Sequence, residues 1–384
     1  MGVTETDKKY VANTYARADV VFLRGKGATL TDRWGNKYID FGAGIAVNGL
    51  GIGYGKWKRA VKAQLKALPH ASNLYYTQPC AELAKLLCKR TGMKKVFFSN
   101  SGAEANECAI KTARKYSFDK YGENRFKIVT LINSFHGRTV TTLSATGQEA
   151  FHQYFMPFTD GFTYVPADDY EAMEEAVDDG VCAVMLELVQ GEGGVKALDK
   201  EYVKKVETLC RKKDVLLIVD EVQTGNGRTG SLYAFMQYDI TPDIVTTAKG
   251  LGNGLPIGAT MFGAKCENTL TPGTHGSTFG GNPVVCAGAI AVIRSINEKL
   301  LSGVNAKSRR IRDVLAACPK AKSVSGLGLM IGIEVDNAQE LKEQCLNKGL
   351  VVLTAKDKLR LLPPLNISDG ELEEGLEILR EVLS

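Results

Sequence analysis

Val215-Leu216-Leu217-Ile218-Val219 runs straight into Asp220-Glu221-Val222-Gln223-Thr224-Gly225. Consecutive branched and large apolar residues without polar alternation read as a strand buried on both faces, the pattern of a parallel sheet. A carboxylate ends the run, where such a strand gives way to a loop.

Working outward, the same grammar recurs. Val96-Phe97-Phe98 leads into a helix predicted from about Ala103 to Tyr116, and Ile128 to Ile132 reads as a strand followed by a polar loop at Asn133-Ser134. Val181 to Leu186 is another apolar run, Glu201 to Lys212 is amphipathic, and Ile244-Val245 precedes Thr246-Thr247-Ala248-Lys249-Gly250-Leu251-Gly252-Asn253-Gly254. Strands alternating with helices predict an α/β fold with a mostly parallel central sheet. Ligands of such sheets bind beyond the carboxyl ends of the strands. Asn100, Phe135, Glu187, Asp220 and Lys249 all stand just past such ends.

The last part changes character. Ala289 to Ala317 is helical in pattern, Val324 to Val335 carries glycines among apolar residues and reads as strands, and Glu340 to Lys348 is helical. Leu350 to Thr354 and Leu359 to Leu362 read as strands before a final amphipathic helix. Leu30 to Tyr38, with Gly35-Asn36 at its turn, predicts a hairpin that packs with the C-terminal part. The expected division is a large domain over 51–285 and a smaller α+β domain built from 1–50 and 286–384.

Lys249, leaving a buried strand into glycines, gains a reason to be there if it holds an aldehyde cofactor as a Schiff base. Asp220 then supplies the carboxylate for a pyridinium nitrogen, and the two together are the fixed parts of a pyridoxal phosphate site. Ser101, Gly102 and Ala103 open a helix whose N-terminus favours a dianion. The same stretch also reads as a capped helix start, with Glu104 completing a capping box on Ser101. Gln223 could meet a ring oxygen, Phe135 could stack on a ring, and Arg138 could grip a carboxylate with its two-pronged donor set. Taken singly, each reads first as an ordinary loop, core or surface residue. His136 reads as a hydrogen-bonded structural histidine, because a freed Lys249 amine can itself move protons. Arg360, a charge in an apolar strand, needs a partner, and Glu192 in Gln190-Gly191-Glu192-Gly193-Gly194 is a candidate. Gly225-Asn226-Gly227-Arg228-Thr229-Gly230 matches a dinucleotide-binding pattern, but Asp220 to Thr224 separate it from its strand and no helical start follows.

Composition narrows the partners. With 384 residues, 44% hydrophobic, 24% charged and a net charge of +5, the balance is that of an ordinary globular chain. Basic runs such as Arg211-Lys212-Lys213 fall in helix-like segments and read as solvated faces, so no nucleic-acid partner is expected. No stretch is apolar enough to span a membrane, and Met1 to Tyr10 has no apolar signal core. Nine scattered cysteines without a Cys-x-x-Cys pair fit a reducing, cytoplasmic setting, and four histidines without ligand spacing predict no metal.

Together these motifs resemble the class III, ornithine-type aminotransferases of pyridoxal-phosphate fold type I, nearly end to end. The resemblance rests on Asn-Ser-Gly-Ala-Glu-Ala-Asn-Glu at 100–107, Phe-His-Gly-Arg at 135–138 and Gln-Gly-Glu-Gly-Gly at 190–194. Asp-Glu-Val-Gln-Thr-Gly at 220–225, Ala-Lys-Gly-Leu at 248–251 and His-Gly-Ser-Thr-Phe-Gly-Gly-Asn-Pro at 275–283 complete it. It implies Lys249 and Asp220 as catalytic residues. It implies a cofactor shell of Ser101, Gly102, Ala103, Phe135, Asp220, Glu221, Val222, Gln223 and Lys249, with Thr278 from a neighbouring subunit of a homodimer that shares its active sites. It further implies Arg138 and Ser277 at the donor's far end, Arg360 at the α-carboxylate of 2-oxoglutarate, and Glu192 shielding that arginine. Family members often carry Gly-His-x-His-Pro where Gly51-Ile52-Gly53-Tyr54-Gly55 stands, and a Gly and a Thr are frequent at Asn253 and Ser277. Ile45 replaces a tyrosine usual in members that take ornithine. An apolar residue there suits the members acting on N2-acetylornithine, and also succinylornithine or 4-aminobutyrate. Two alternatives stay open: a sibling donor, or a nucleotide-dependent oxidoreductase using the glycines at 225–230.

Overall fold

The computed structural model describes residues 2–384; Met1 lies outside the described residues. Its centre is a seven-stranded sheet in the order Lys95–Ser99, Gly258–Phe262, Ile244–Thr247, Leu216–Asp220, Val181–Leu186, Lys127–Leu131, Phe162–Val165. The last five of these run parallel, and Gly258–Phe262 is antiparallel to both its neighbours. Every residue of Val181–Leu186, Leu216–Asp220 and Ile244–Thr247 is buried. The two-residue period of a strand divides the central one: Leu217 and Val219 join one apolar cluster with Leu131, Leu186 and Val203, and Leu216 and Ile218 join another with Ile110, Ile128 and Met185. Helices on both faces explain why the sequence shows continuous apolar runs instead of alternation.

The helices begin where their caps dictate. Asp199 accepts the Tyr202 N–H and starts Lys200–Lys213, and Ser101 accepts the Glu104 N–H and starts Gly102–Tyr121. The expected single helical stretch over Ala289–Ala317 is two helices, Pro283–Ser295 and Glu298–Leu315. Asn297 makes the break by capping the second through the Leu300 N–H. Two strands of the large sheet have no counterpart in the sequence reading. Gly258–Phe262 is built of Gly, Ala, Thr, Met and Phe, and Phe162–Val165 at the sheet edge is largely exposed.

Two four-stranded sheets accompany the large one. In the first, the Thr29–Asp32 and Lys37–Asp40 hairpin pairs with Phe22–Lys26 on one side and, in parallel, with Leu350–Val351 on the other. Asp32 anchors the hairpin turn by accepting the Trp34 and Asn36 N–H groups, and Gly35 takes the positive φ the turn requires. The second sheet joins Ser323–Leu327, Met330–Glu334, Lys358–Leu361 and Leu353–Ala355. Ala28, Ile39 and Phe41 share a core with Ile331, Leu361 and Leu376, so the first forty residues pack with the last seventy.

The glycine-rich stretch at 225–230 forms a tight turn, with Gly227 and Gly230 at φ near +90°. No amphipathic helix follows it; a short 3₁₀ turn, Ala234–Met236, does. Arg228 is buried and donates from Nη1 to the carbonyls of Leu329 (3.0 Å) and Pro363 (2.6 Å). These glycines therefore serve a backbone crossing between the large sheet and the C-terminal sheet, which removes the basis for the nucleotide reading.

Candidate active site

The carboxyl ends of the parallel strands open on a cavity of about 470 Å³. Lys249 enters it directly after Ile244–Thr247, held at a left-handed φ of +43°. Its amine has no hydrogen-bond partner among the described residues. Burial pushes that amine below the ordinary lysine range, with Glu192 opposing the shift. A buried, unpaired primary amine is costly as a structural device and useful as a nucleophile or base.

Opposite it, Asp220 ends its strand 4% exposed. Oδ2 accepts from Asn106 Nδ2 and faces His136 Nδ1, both at 2.8 Å, and Oδ1 accepts the Val222 N–H at 3.0 Å. His136 is fully packed. Burial works against its charged form, but Asp220 prevails and raises it above the ordinary histidine range. His136 therefore serves Asp220 and does not face a reactant as a free base. Its Nε2 and the Asn106 Oδ1 are buried without partners.

At the helix start, Ser101 caps and Glu104 reaches back to the Asn100 N–H instead of to Ser101's own. The Gly102 and Ala103 amides are left at the cavity wall, the usual situation of the first turn of a helix. Gly102 has no room for a side chain, because a Cβ there would stand 2.7 Å from Val222 Cγ1. Phe135 lines the cavity, its N–H given to Glu187 Oε2 at 2.8 Å. The Arg138 guanidinium lies over the Phe151 ring at 4.1 Å and near the Phe135 ring at 5.5 Å, at the cavity's exposed rim.

Arg360 and Glu192 stand behind Gln223. Arg360 is 3% exposed; its Nη1 meets Glu192 Oε1 at 2.6 Å, the Gly191 carbonyl at 3.2 Å and Gln223 Oε1 at 3.3 Å. Burial alone would raise Glu192, but the guanidinium holds it below the usual carboxylate range. Gln223 is thus both a cavity wall and the link to this pair.

Other expected residues stand apart. The Glu221 side chain turns into the core, accepting from Thr224 Oγ1 at 2.5 Å and the Phe235 N–H at 2.7 Å, and does not reach the cavity that Val222 lines. Ser277 touches the cavity only through Asn100, whose Nδ2 donates to its Oγ at 3.1 Å. Thr278 is exposed and outside it. Ile45 is half exposed, two residues before the cavity-lining Val47, within a left-handed turn of Ala43, Gly44, Ile45 and Ala46. Asn106 and Val47 join the site as residues given no place in it by the sequence reading, and Glu187, placed there only as a strand-end position, gains a contact. Asn106 had a signal, since it lies one helical turn into the Ser101 helix on the face toward Asp220.

These residues fit pyridoxal phosphate: free amides at a helix N-terminus for the phosphate, an aromatic face, a well-donated buried carboxylate, and an amine with nothing else to bind. When bound, that group supplies an aldehyde carbon and an electron-withdrawing ring.

Residues 10–383 match the family described as aminotransferase class-III. The acetylornithine aminotransferase of Haemophilus ducreyi is 52% identical, covering 100% of this chain and 98% of that protein. That of Caldanaerobacter subterraneus is 48% identical over 98% of each. Among solved structures, ornithine aminotransferase from Toxoplasma gondii superposes with a TM-score of 0.95 at 34% identity, covering 99% of this chain and 94% of that one. N-acetylornithine aminotransferase from Stenotrophomonas maltophilia gives 0.86 at 36%, over 99% and 98%. An unbonded lysine facing a buried aspartate, on a chain matched throughout its length, places the protein in its family: it belongs to the class III aminotransferases, enzymes dependent on pyridoxal phosphate.

Proposed function

We propose that the enzyme moves the δ-amino group of N2-acetyl-L-ornithine to 2-oxoglutarate, giving N-acetylglutamate 5-semialdehyde and glutamate, as a step of arginine biosynthesis. The observation that carries the donor is Ile45: an apolar side chain two residues before the cavity-lining Val47 offers nothing to a free α-amino group and tolerates an acylated one. Relatives of up to 52% identity that carry the name acetylornithine aminotransferase support the same reading.

In this reading Lys249 takes and returns the proton on the carbon that bears the transferred nitrogen. Burial lowers its basicity and so favours the neutral amine over the ammonium. Asp220, oriented by Asn106 and His136, balances positive charge on the ring nitrogen, and Gln223 meets the ring oxygen. Phe135 and Val222 bound the ring, and Ser101, Gly102 and Ala103 hold the phosphate. Arg138 and Ser277 recognise the donor's acylated end. Arg360 binds the dicarboxylate acceptor when Glu192 releases it. Glu221 supports the site from within the core.

The working unit is a homodimer in the cytoplasm, with Thr278 completing the partner's phosphate site. Exposed apolar side chains at Leu74, Tyr75, Tyr76 and Phe279 support it, since a patch of this kind is suited to a partner. Residues 1–50 with 286–384 form the small domain, and 51–285 the large one.

The test is a panel of amino donors with 2-oxoglutarate, following glutamate formation. N2-acetylornithine should give the highest kcat/KM. A higher value for ornithine, succinylornithine or 4-aminobutyrate would replace the donor but keep the chemistry. Absence of a borohydride-reducible chromophore in the purified protein would remove the chemistry as well.

A further inference from the structure

Glu187 is a second buried carboxyl group in the cavity, and nothing above uses it. It follows the fully buried strand Val181–Leu186 directly, is 6% exposed, and lines the cavity with Asp220, His136 and Lys249. Its surroundings differ from those of Asp220 in one countable respect. Asp220 meets three protein donors, Asn106 Nδ2, the His136 ring and the Val222 N–H. Glu187 meets one, the Phe135 N–H on Oε2. Its Oε1 takes no hydrogen bond from the described residues. Two buried carboxyls in one cavity do not both ionise cheaply, and the one with fewer donors is the one that keeps a proton.

We propose that Glu187 is a positioning residue of this site: Oε2 fixes the Phe135 main chain, and gain or loss of the proton on its carboxyl resets the charge that Lys249 and the His136–Asp220 pair experience. The charged groups around the cavity act on that proton. Burial pushes Glu187 up to about 7; the raised His136 opposes that shift, and Asp220 and Glu192 add to it. Glu187 in turn supports the charged form of Lys249. Arg138, at the rim beyond Phe135, and Arg360, behind Glu192, are the remaining charges around the cavity. Near pH 7 the site thus holds a carboxyl that can be neutral or charged without breaking its one protein hydrogen bond, since either form leaves an oxygen to accept from Phe135.

The inference rests on the cavity holding pyridoxal phosphate, and its test separates the two. The holoenzyme and its Glu187→Gln and Glu187→Ala variants are compared by the pH dependence of the bound cofactor's absorption and of kcat/KM from pH 5.5 to 9, and by the rate of cofactor release. Glutamine keeps an accepting oxygen for Phe135 but cannot titrate. The expected result is that an ionisation near pH 7 in the wild-type profiles disappears or moves by about one pH unit in Glu187→Gln, while cofactor release stays within about twofold. Glu187→Ala, which also strands the Phe135 N–H, releases cofactor about tenfold faster. Wild-type profiles in Glu187→Gln, or wild-type release in Glu187→Ala, overturn the proposal. A wild-type protein that binds no cofactor overturns the underlying reading instead.

Discussion

Arg360 and Glu192 form a 2.6 Å ion pair beside Gln223, with the arginine 3% exposed and its Nε buried without a partner. The guanidinium is therefore engaged on one side only. A dicarboxylate that drew it away from Glu192 would exchange one carboxylate for another without leaving the charge stranded. Removing Arg360 should weaken the acceptor selectively: Arg360→Ala is expected to raise KM for 2-oxoglutarate by about 10–100-fold, the worth of a charge-assisted pair. Single-turnover measurements with the amino donor alone should change far less. Glu192→Gln should act in the opposite direction and lower KM for the dicarboxylate.

Asn106 bridges two elements by donating from one nitrogen to the His136 carbonyl (2.7 Å) and to Asp220 Oδ2 (2.8 Å). Asn106→Leu keeps the branched shape, with somewhat more bulk, and removes both bonds. Expected costs are about 1–3 kcal/mol of stability, read by thermal unfolding, and faster loss of pyridoxal phosphate. Unchanged cofactor release would mean Asp220 does not depend on this donor.

Glu221 gives a prediction about pH. Burial pushes its carboxyl up to about 7, against hydrogen bonds from Thr224 and the Phe235 amide. A carboxyl whose folded pKa is raised takes up a proton on folding. Its contribution is fully present below the ordinary glutamate value of 4.5 and is lost as pH climbs through about 7. Glu221→Gln, whose amide can accept from Phe235 and donate to Thr224, should match wild type at acid pH. At pH 8 it should be more stable by about 2–3 kcal/mol. Denaturant midpoints across that range decide it; a parallel pair of curves would show that Glu221 does not titrate there.

Arg228 should matter beyond its own position. Its carbonyl partner Pro363 lies three residues after Arg360. Arg228→Met would leave two buried carbonyls without donors, an expected loss of about 2–4 kcal/mol. Because the same strand end carries Arg360, KM for 2-oxoglutarate should rise while cofactor affinity holds. Equal loss of both would mark a general loosening.

Much of this was legible in the sequence because burial on both faces leaves no room for polar alternation. Val181–Leu186 and Leu216–Asp220 declare themselves, and with them the strand-end positions of Asp220 and Lys249. Gly258–Phe262 did not: its Gly258 is small because the Ser101 carbonyl and the Ser99 hydroxyl stand where a Cβ would go. That is a tertiary fact with no periodicity to betray it. Asn106 and Glu187 were visible as residues but not as partners. A side chain's target depends on which strand its helix crosses, and only the assembled sheet supplies that. Glu221 misled for the converse reason, since neighbours in a strand-end loop point to opposite sides.

The pairing of Lys37–Asp40 with Leu350–Val351, together with Glu371 accepting the Ala28 N–H across 343 residues, has a consequence for the order of assembly. All seven strands of the large sheet lie between residues 95 and 262. They can find one another while the ribosome is still at work, whereas the opening hairpin must wait for its partners at residues 350 to 371. Closing so long a loop adds little to the final stability but delays the contact. The strands that carry Lys249 and Asp220 can therefore form first, and Arg360 joins the cavity they open only after residue 360 has been made.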